Sequence, residues 1–193
     1  MSESHISNPI FHNEEAAYPH VEGRLWPRGA VCPHCGGTER NRKMQGKSTR
    51  IGVYKCYDCR KPFRGTVGTI FEASHIKLNV WLQAIFLIAS SKKGISSHQL
   101  QRMLGITIKS AWFPSHRIRE AMKNDGGVFS VGGTVEADAT YVSEFDFRYN
   151  HRETKDKIDG KWVKVGHSDI ERADALLQGV KGKRLTYATT DVR

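Results

Sequence analysis

Two cysteine pairs, Cys32-Pro33-His34-Cys35 and Cys56-Tyr57-Asp58-Cys59, contain all four cysteines of this 193-residue chain. Twenty residues separate the pairs. Zinc prefers four tetrahedral ligands, and two thiolates that are two residues apart can reach one ion from a tight turn. The alternation of Ile51, Val53 and Lys55 predicts a β-hairpin between the pairs. The spacing therefore predicts a zinc ribbon over residues 32–64, in which Cys32, Cys35, Cys56 and Cys59 bind one structural Zn²⁺.

Disulfide bonds and a redox Cys-x-x-Cys motif are the competing interpretations of these cysteines. Disulfides are rare in reducing compartments, and a redox motif needs no matched second copy. The first residues, MSESHISNP, lack the basic and apolar segments of an export signal. The longest apolar run, at residues 80–89, is shorter than the roughly 20 residues that span a bilayer. We therefore expect a cytoplasmic, nucleoid-associated protein without a membrane partner.

The charge of the chain is concentrated in two segments. The 30 Lys and Arg residues outnumber the 20 Asp and Glu residues, which gives a net charge of +10. Residues 40–64 carry +8 and residues 92–123 carry +6, so the rest of the chain sums to −4. Such a distribution favours a polyanion-binding surface, although a solvated basic face that maintains solubility is the alternative.

Three helices are predicted between the ribbon and the glycine pair Gly126-Gly127. Apolar residues recur at helical spacing over 78–89, Ser96 and Gln99 form a capping-box start, and Thr107 can cap a third helix. Together they resemble a helix-turn-helix, whose last helix enters the major groove; a plain three-helix bundle is the alternative. On the second helix, Leu100, Met103 and Leu104 are predicted to be buried. On the third helix, Ile108, Ala111, Trp112, Ile118 and Met122 are predicted to face inward, and Lys109, Ser110, Phe113, Arg117 and Glu120 outward.

Pro114 lies mid-way along the third predicted helix. A proline there removes one backbone hydrogen bond and costs about 3 kcal/mol. The sequence therefore predicts a kinked or weakened recognition helix.

A strictly alternating strand is predicted over residues 134–142, with Glu136, Asp138 and Thr140 on one face. Two carboxylates on a strand can begin a divalent-metal site, although a plain surface acid is the more common outcome. Residues 143–174 are polar and predict a long loop or inserted arm. Residues 175–180 and 184–190 predict a β-hairpin.

With these elements placed, the chain resembles bacterial insertion-sequence transposases that carry an N-terminal zinc ribbon. The resemblance runs almost continuously from about Phe11 to Val142. It rests on Glu14-Glu15-Ala16, Trp26-Pro27, Cys32-Pro33-His34-Cys35-Gly36, Tyr54-Lys55-Cys56, Cys59-Arg60-Lys61, residues 66–71 and 90–96, Ala111-Trp112-Phe113, residues 116–119 and Val135-Glu136-Ala137-Asp138-Ala139-Thr140-Tyr141.

The resemblance implies a ribonuclease-H-like catalytic domain of the DDE type, which cuts and joins DNA strands with Mg²⁺ or Mn²⁺ held by three acidic residues. Asp138 matches the first of these residues. The resemblance implies that the ribbon and the helix-turn-helix hold double-stranded DNA at the terminal repeats of the element. It leaves open whether the chain forms a homo-oligomer. The DNA contacts that we predict from the basic segments are Arg42, Lys43, Lys47, Arg50, Lys92, Lys93, Lys109, Ser110, Arg117 and Arg119.

The fold class that follows is a multi-domain α+β protein. Its predicted parts are a helical lead-in at residues 1–31, the zinc ribbon at 32–64, the helix-turn-helix region at 65–125, and the first part of a ribonuclease-H-like sheet at 126–193.

This chain also departs from the family pattern. Ala139 stands where relatives usually have Glu, and Pro19 and Pro114 interrupt segments that are helical in relatives. We also expect the strands for the second and third acids to be missing. These departures predict a truncated or degenerate copy that binds DNA but does not transpose alone. A non-enzymatic DNA-binding regulator or transposition inhibitor is the alternative function, and an RNA-binding ribbon protein is a third.

Overall fold

A computed structural model describes residues 5–46, 48–91, 94–122, 153–158 and 161–180. The described residues form helices and small antiparallel sheets, so the mixed helix-and-sheet class is confirmed. In chain order the elements are a 3₁₀ turn His5–Ser7, α1 Pro9–His12, α2 Glu14–Leu25, β1 Asn41–Lys43, β2 Val53–Cys56, β3 Pro62–Arg64, α3 Leu78–Ser90, α4 Ser97–Leu104, α5 Ile108–Met122, β4 Glu153–Ile158, β5 Lys161–Gly166 and α6 Asp169–Gly179. Several predictions lie outside the described residues: the strand at 134–142 with Asp138, the second strand of the hairpin at 184–190, and the contacts Lys47, Lys92 and Lys93.

The three strands of the ribbon form one antiparallel sheet in the order β1-β2-β3. Arg42 pairs with Lys55, and Tyr54 pairs with Phe63. The hairpin that the alternation predicts is therefore present, with a third short strand added. Side chains alternate across a strand, so Tyr54 and Cys56 share one face of the sheet and Lys55 lies on the other.

Helix α3 is the centre of the main core. Nine of its thirteen residues are buried, and α1, α2, α5 and α6 pack around it. Trp81 is fully buried and meets Phe71 edge-on, with ring centroids 5.2 Å apart. Side chains from Phe11 to Val180 belong to the same apolar cluster, so residues that are far apart in the chain share one core.

Helices α3, α4 and α5 lie where the sequence predicts them. The Ser96 hydroxyl accepts a hydrogen bond from the Gln99 amide (3.2 Å), and Gly105 ends α4 with φ of +64°. The Thr107 hydroxyl then accepts one from the Ser110 amide (3.2 Å) and begins α5. A capped short helix, a left-handed glycine and a second cap give a tight turn between α4 and α5.

Four predicted orientations in this region are wrong. Phe113 was predicted to point outward but packs against the main core, with its ring centroid 6.1 Å from that of Trp81. Met103 and Trp112 were predicted to be buried but are 51% and 45% exposed. Arg117 was predicted to point outward but is buried. The buried stripe of α5 follows residues 111, 114, 115, 118, 121 and 122, and Trp112 is rotated about 100° from Ala111 on a helix of 3.6 residues per turn.

Both prolines that were predicted to interrupt helices lie inside continuous ones. Pro19 is within α2 and Pro114 is within α5. Pro114 is fully buried in the packed face of its helix. Burial of the ring against the core offsets part of the lost backbone hydrogen bond.

The loop alternative for 143–174 is wrong over the described residues 153–158 and 161–174, whereas the alternative of an inserted arm stays a prediction. The predicted strand at 175–180 is wrong. The β4–β5 hairpin and the start of α6 fall within 153–174, and α6 continues to Gly179. A capping box begins α6: the Ser168 hydroxyl accepts from the Glu171 amide, and the Glu171 carboxylate accepts from the Ser168 amide. Reciprocal satisfaction of two backbone donors favours a helix over a strand at this point.

Candidate metal centre and nucleic-acid interface

The four cysteine sulfurs meet at one point of the ribbon, each within 4.8 Å of the others. Cys32 Sγ lies 3.7 Å from Cys59 Sγ, and Cys35 Sγ lies 3.6 Å from Cys56 Sγ. Zinc–sulfur bonds of about 2.3 Å in a tetrahedron place neighbouring sulfurs about 3.8 Å apart. The observed separations match that edge, so the donor set fits a tetrahedral zinc ion.

Each cysteine pair lies in a turn whose backbone is held by hydrogen bonds. The Cys32 amide donates to Gly37 O (3.0 Å), the Gly36 amide donates to Cys32 O (2.9 Å), and the Cys56 amide donates to Lys61 O (3.1 Å). The residue after the second cysteine is left-handed in both turns: φ is +75° at Gly36 and +60° at Arg60. The two halves of the site therefore share one backbone geometry, which only the first half builds with glycine.

Asn41 fixes the first turn to the sheet. Its side-chain Nδ2 donates to Ala30 O at 2.8 Å and to Gly37 O at 2.7 Å. Asn41 is the first residue of β1. The strand and the cysteine turn are thus joined by one side chain that bridges both flanks of the Cys32–Cys35 pair.

The crowded thiols differ in their affinity for protons. The Gly37 backbone lowers the pKa of Cys35, but contact with the Cys56 thiol, desolvation and the other two thiols outweigh it and raise that pKa to about 12. The Cys59 backbone is the main cause that lowers the pKa of Cys56 to about 7. Four sulfurs this close cannot all be anionic without a cation among them, and Zn²⁺ supplies that charge when it binds.

The inner face of the ribbon packs on α2. Trp26, just after α2, meets Tyr54 at 5.6 Å and Phe63 at 5.8 Å between ring centroids, edge-on in both cases. Gly52 has φ of +72°, and a Cβ there would come within 2.2 Å of the Tyr18 ring. A side chain at Gly52 would therefore force the ribbon away from α2.

A buried carboxylate joins α2 to two ribbon strands. Glu22 is 8% exposed, and its Oε2 accepts a hydrogen bond from the Tyr54 hydroxyl at 2.8 Å. Lys43 Nζ lies 3.5 Å from the same oxygen. Burial, with the contribution of Glu22, raises the pKa of Tyr54 to about 12. Lys43, a predicted DNA contact, is thereby directed at α2.

The outer face of the ribbon is basic. Arg42 and Lys55 are directly opposite each other in the β1–β2 register. Lys55 Nζ lies 5.7 Å from the centre of the Tyr57 ring, which is half exposed. Arg40 is paired with Asp58 at 3.5 Å, while Arg42 and Arg50 are exposed. Like charges in directly opposed positions destabilise a sheet, so this face holds two cations together at a cost.

The predicted contacts on α5 divide between solvent and protein. Lys109 is exposed and Ser110 is half-buried, with its hydroxyl 2.9 Å from that of Thr107. Arg119 donates to Ile95 O at 2.6 Å. Arg117 donates to the carbonyl oxygens of Ile70 (2.7 Å) and Glu72 (2.6 Å) and stacks on Phe113 at 4.2 Å. Arg117 therefore anchors α5 to the segment before α3.

Sequence reasoning missed an aromatic pair on the surface of α5. The rings of Trp112 and His116 lie 4.1 Å apart, and His116 is also exposed. Desolvation, with a smaller contribution from Arg119, lowers the pKa of His116 and so favours the uncharged form of its ring. The available signal was the helical phase: residues 111, 114, 115 and 118 define one buried stripe, which excludes 112 and 116.

Residues 12–62, which span α2 and most of the ribbon, match the family described as the transposase zinc-ribbon domain. This segment is therefore similar to a transposase zinc ribbon. An uncharacterised protein in transposable element ISH50 of Halobacterium salinarum is 28% identical to this chain over 117 residues. The match covers 61% of this chain and 38% of the relative, so the chain spans less than half of that protein's length. No solved structure matches the chain.

These comparisons confirm the resemblance to insertion-sequence transposases with an N-terminal zinc ribbon and support a transposase-related function. The family match begins at residue 12, so it includes the helix on which the ribbon packs as well as the cysteines. Among the described residues, no helix is both long enough and apolar enough to cross a membrane.

Proposed function

We propose that this chain binds DNA as part of an insertion-sequence transposase, with the terminal repeats of the element as its target. The observation that carries the proposal is the four-thiol cluster within a segment that matches the transposase zinc-ribbon domain. Zinc held by Cys32, Cys35, Cys56 and Cys59 would fix the three short strands, whose own apolar cluster is small.

The outer face of the ribbon is the first proposed contact surface. Arg42 and Lys55 repel each other across the β1–β2 pair, and a phosphate placed between them would relieve that repulsion. Arg50 is exposed in the connection between β1 and β2. Lys47 is included in the proposed surface because of its position in the sequence. Lys43 contributes less, because its ammonium lies beside Glu22.

The helical region is the second proposed contact surface. The α4–turn–α5 arrangement supports a helix-turn-helix in which α5 enters the major groove through its N-terminal half. Lys109 and Ser110 lie in that half, while Arg119, Lys92 and Lys93 are proposed to contact phosphates. Arg117 is not part of this surface, because it is buried and its guanidinium donates to two protein carbonyls, whereas Arg119 is only half-buried.

Catalysis is proposed from the family resemblance alone. Asp138 would supply the first carboxylate for Mg²⁺ or Mn²⁺ in a ribonuclease-H-like domain over residues 126–193. The proposed boundaries of the other parts are 1–31, 32–64 and 65–125. The metal ions would activate the attacking hydroxyl and stabilise the leaving oxygen when the remaining acids of the triad are present.

The salt dependence of duplex binding tests this proposal. We expect zinc-loaded chain to bind element-end DNA with an affinity that falls steeply as salt rises, because each neutralised phosphate releases counterions. Arg42→Ala should weaken binding and reduce the slope of log K against log [salt] by about 1. Lys164→Ala, which removes an exposed cation outside both basic segments, is the matched control and should change neither quantity.

Two results would contradict the proposal. One is the absence of duplex binding at 50 mM salt by protein that contains zinc. The other is equal affinity for duplex DNA and RNA without sequence preference, which would favour an RNA-binding ribbon instead.

A further inference from the structure

The largest exposed apolar side chain on α5 lies in the half of the helix that a helix-turn-helix presents to DNA. Trp112 is the fifth residue of α5 and is 45% exposed, with one side of its ring against His116 at 4.1 Å. A half-exposed indole is costly in water. Tryptophan is enriched at interfaces, because its ring is apolar while its indole N–H can still donate a hydrogen bond.

The surroundings of this pair suit a polyanion. Residues 73–119 contain no Asp or Glu. Lys109 is exposed one turn before Trp112, and Arg102 is exposed in the last turn of α4. The lowered pKa of His116 favours its uncharged ring, so the aromatic pair is a patch of low charge that the exposed Lys109 borders on its N-terminal side. That combination fits the major groove, where phosphates flank base edges.

We propose that Trp112, supported by His116, recognises the C5-methyl groups of thymines in the major groove and so sets part of the sequence specificity. This inference rests on the proposed DNA-binding function and adds the chemical group that is recognised. The thymine methyl is the one apolar group on the major-groove edges of the base pairs. An indole with no free acceptor and an imidazole packed behind it offer that group an apolar contact.

Replacement of thymine by deoxyuridine tests the proposal, because it removes the methyl group and leaves every hydrogen-bonding group in place. A duplex is first selected from a random-sequence pool with the full zinc-loaded chain. Each thymine is then replaced in turn. We expect at least one replacement to weaken binding by the parent protein about fourfold, the value of one buried methyl group. Trp112→Ala should bind the two duplexes equally.

Lys109→Ala is the matched control. It removes a neighbouring cation, so it should weaken binding of the thymine and deoxyuridine duplexes by the same factor. Because Trp112 is exposed, Trp112→Ala should retain the thermal transition and zinc content of the parent. Trp112→Phe keeps an aromatic ring and should retain part of the thymine preference.

The outcomes separate this inference from the function on which it rests. A thymine preference that persists in Trp112→Ala, or a selected duplex in which no replacement alters the parent's affinity, would overturn the role of Trp112 while leaving DNA binding intact. Tighter binding of single strands than of duplexes, lost in Trp112→Ala, would also overturn it and assign base stacking instead. Failure to enrich any duplex from the pool would overturn both.

Discussion

The backbone of the metal site is symmetric, but its residues are not. Gly36 and Arg60 occupy the same left-handed position after the second cysteine of each pair. A left-handed conformation costs an L-residue with a Cβ about 1–2 kcal/mol, and glycine avoids that cost. The second turn therefore carries strain that the first does not.

We expect Arg60→Gly to stabilise the zinc-loaded ribbon by about 1 kcal/mol, because it removes the Cβ strain at φ of +60°. Gly36→Ala should destabilise it by a similar amount. Urea unfolding of both variants, monitored by circular dichroism in excess zinc, measures the difference. A loss of stability in Arg60→Gly would contradict the strain argument.

Ionisation of Tyr54 is expected to destabilise the ribbon at alkaline pH. Burial and the bond to Glu22 raise its pKa from the ordinary value of 10 to about 12. The native state thus favours the protonated phenol, so this stabilisation is complete below pH 10 and is lost as pH rises through 12. Tyr54→Phe should cost about 1–2 kcal/mol at pH 8, because Glu22 loses a donor.

The same variant should also unfold with a weaker pH dependence between pH 10 and 12, which thermal melts across that range measure. Burial also raises the pKa of Tyr18, so some dependence should persist. Identical pH profiles for Tyr54→Phe and the parent would contradict the assignment.

At the scale of elements, α5 is held by a buried cation. Arg117 spans from α5 to the carbonyls of Ile70 and Glu72. Arg117→Met keeps much of the apolar stem but leaves these acceptors without their donor, and each such loss costs about 1–3 kcal/mol. We expect a total loss of about 2–4 kcal/mol in the free energy of unfolding, measured with denaturant.

Lys109→Met is the matched control for that prediction. Lys109 is exposed on the same helix, so its replacement should change stability by no more than about 0.5 kcal/mol. Equal effects of the two variants would contradict the anchoring role of Arg117.

The ribbon and the three helices were predictable because their signals are local. Cysteine spacing, the Ser96 cap and Gly105 each constrain the backbone within a few residues. Residue type predicts a buried Trp112 and an exposed Arg117, but the structure shows the reverse. The position of each residue around the helix axis decides which side chain faces the core. Helix α6 was mispredicted although Ser168 and Glu171 form a capping-box pattern, since the apolar residues 175–177 also suit a strand.

The candidate zinc ligands could be predicted from the sequence more completely than the proposed DNA contacts. Four cysteines at zinc-ribbon spacing leave little freedom in what they bind. Basic side chains have several uses, and the sequence does not distinguish them: Lys43 faces Glu22, Arg117 faces carbonyls, and Arg42 faces outward. The packing of neighbouring elements decides which of these basic side chains can reach a DNA phosphate.

At the scale of the whole molecule, the ribbon and the helices have separate apolar cores. The ribbon cluster contains Cys32, Cys56 and Phe63, whereas α1–α3, α5 and α6 share the large cluster. We expect zinc chelation, or Cys35→Ser, to unfold residues 41–64 while the helical core persists. Zinc analysis with amide NMR measures this: ribbon resonances should collapse and those of α3 should remain. A chelated protein with an unchanged ribbon spectrum would contradict it.

Helix α6 completes the same core that α1 begins. Leu176 and Leu177 are buried in the cluster that contains Phe11, and Asp174 forms an ion pair with Arg24 of α2. A ribosome releases the chain from its N-terminus, so α1–α5 emerge long before the residues that cover one side of them. Part of the apolar surface of α1–α5 therefore stays exposed until residue 180 has left the exit tunnel. We therefore expect the yield of native protein to depend on synthesis rate and early chaperone capture as well as on final stability.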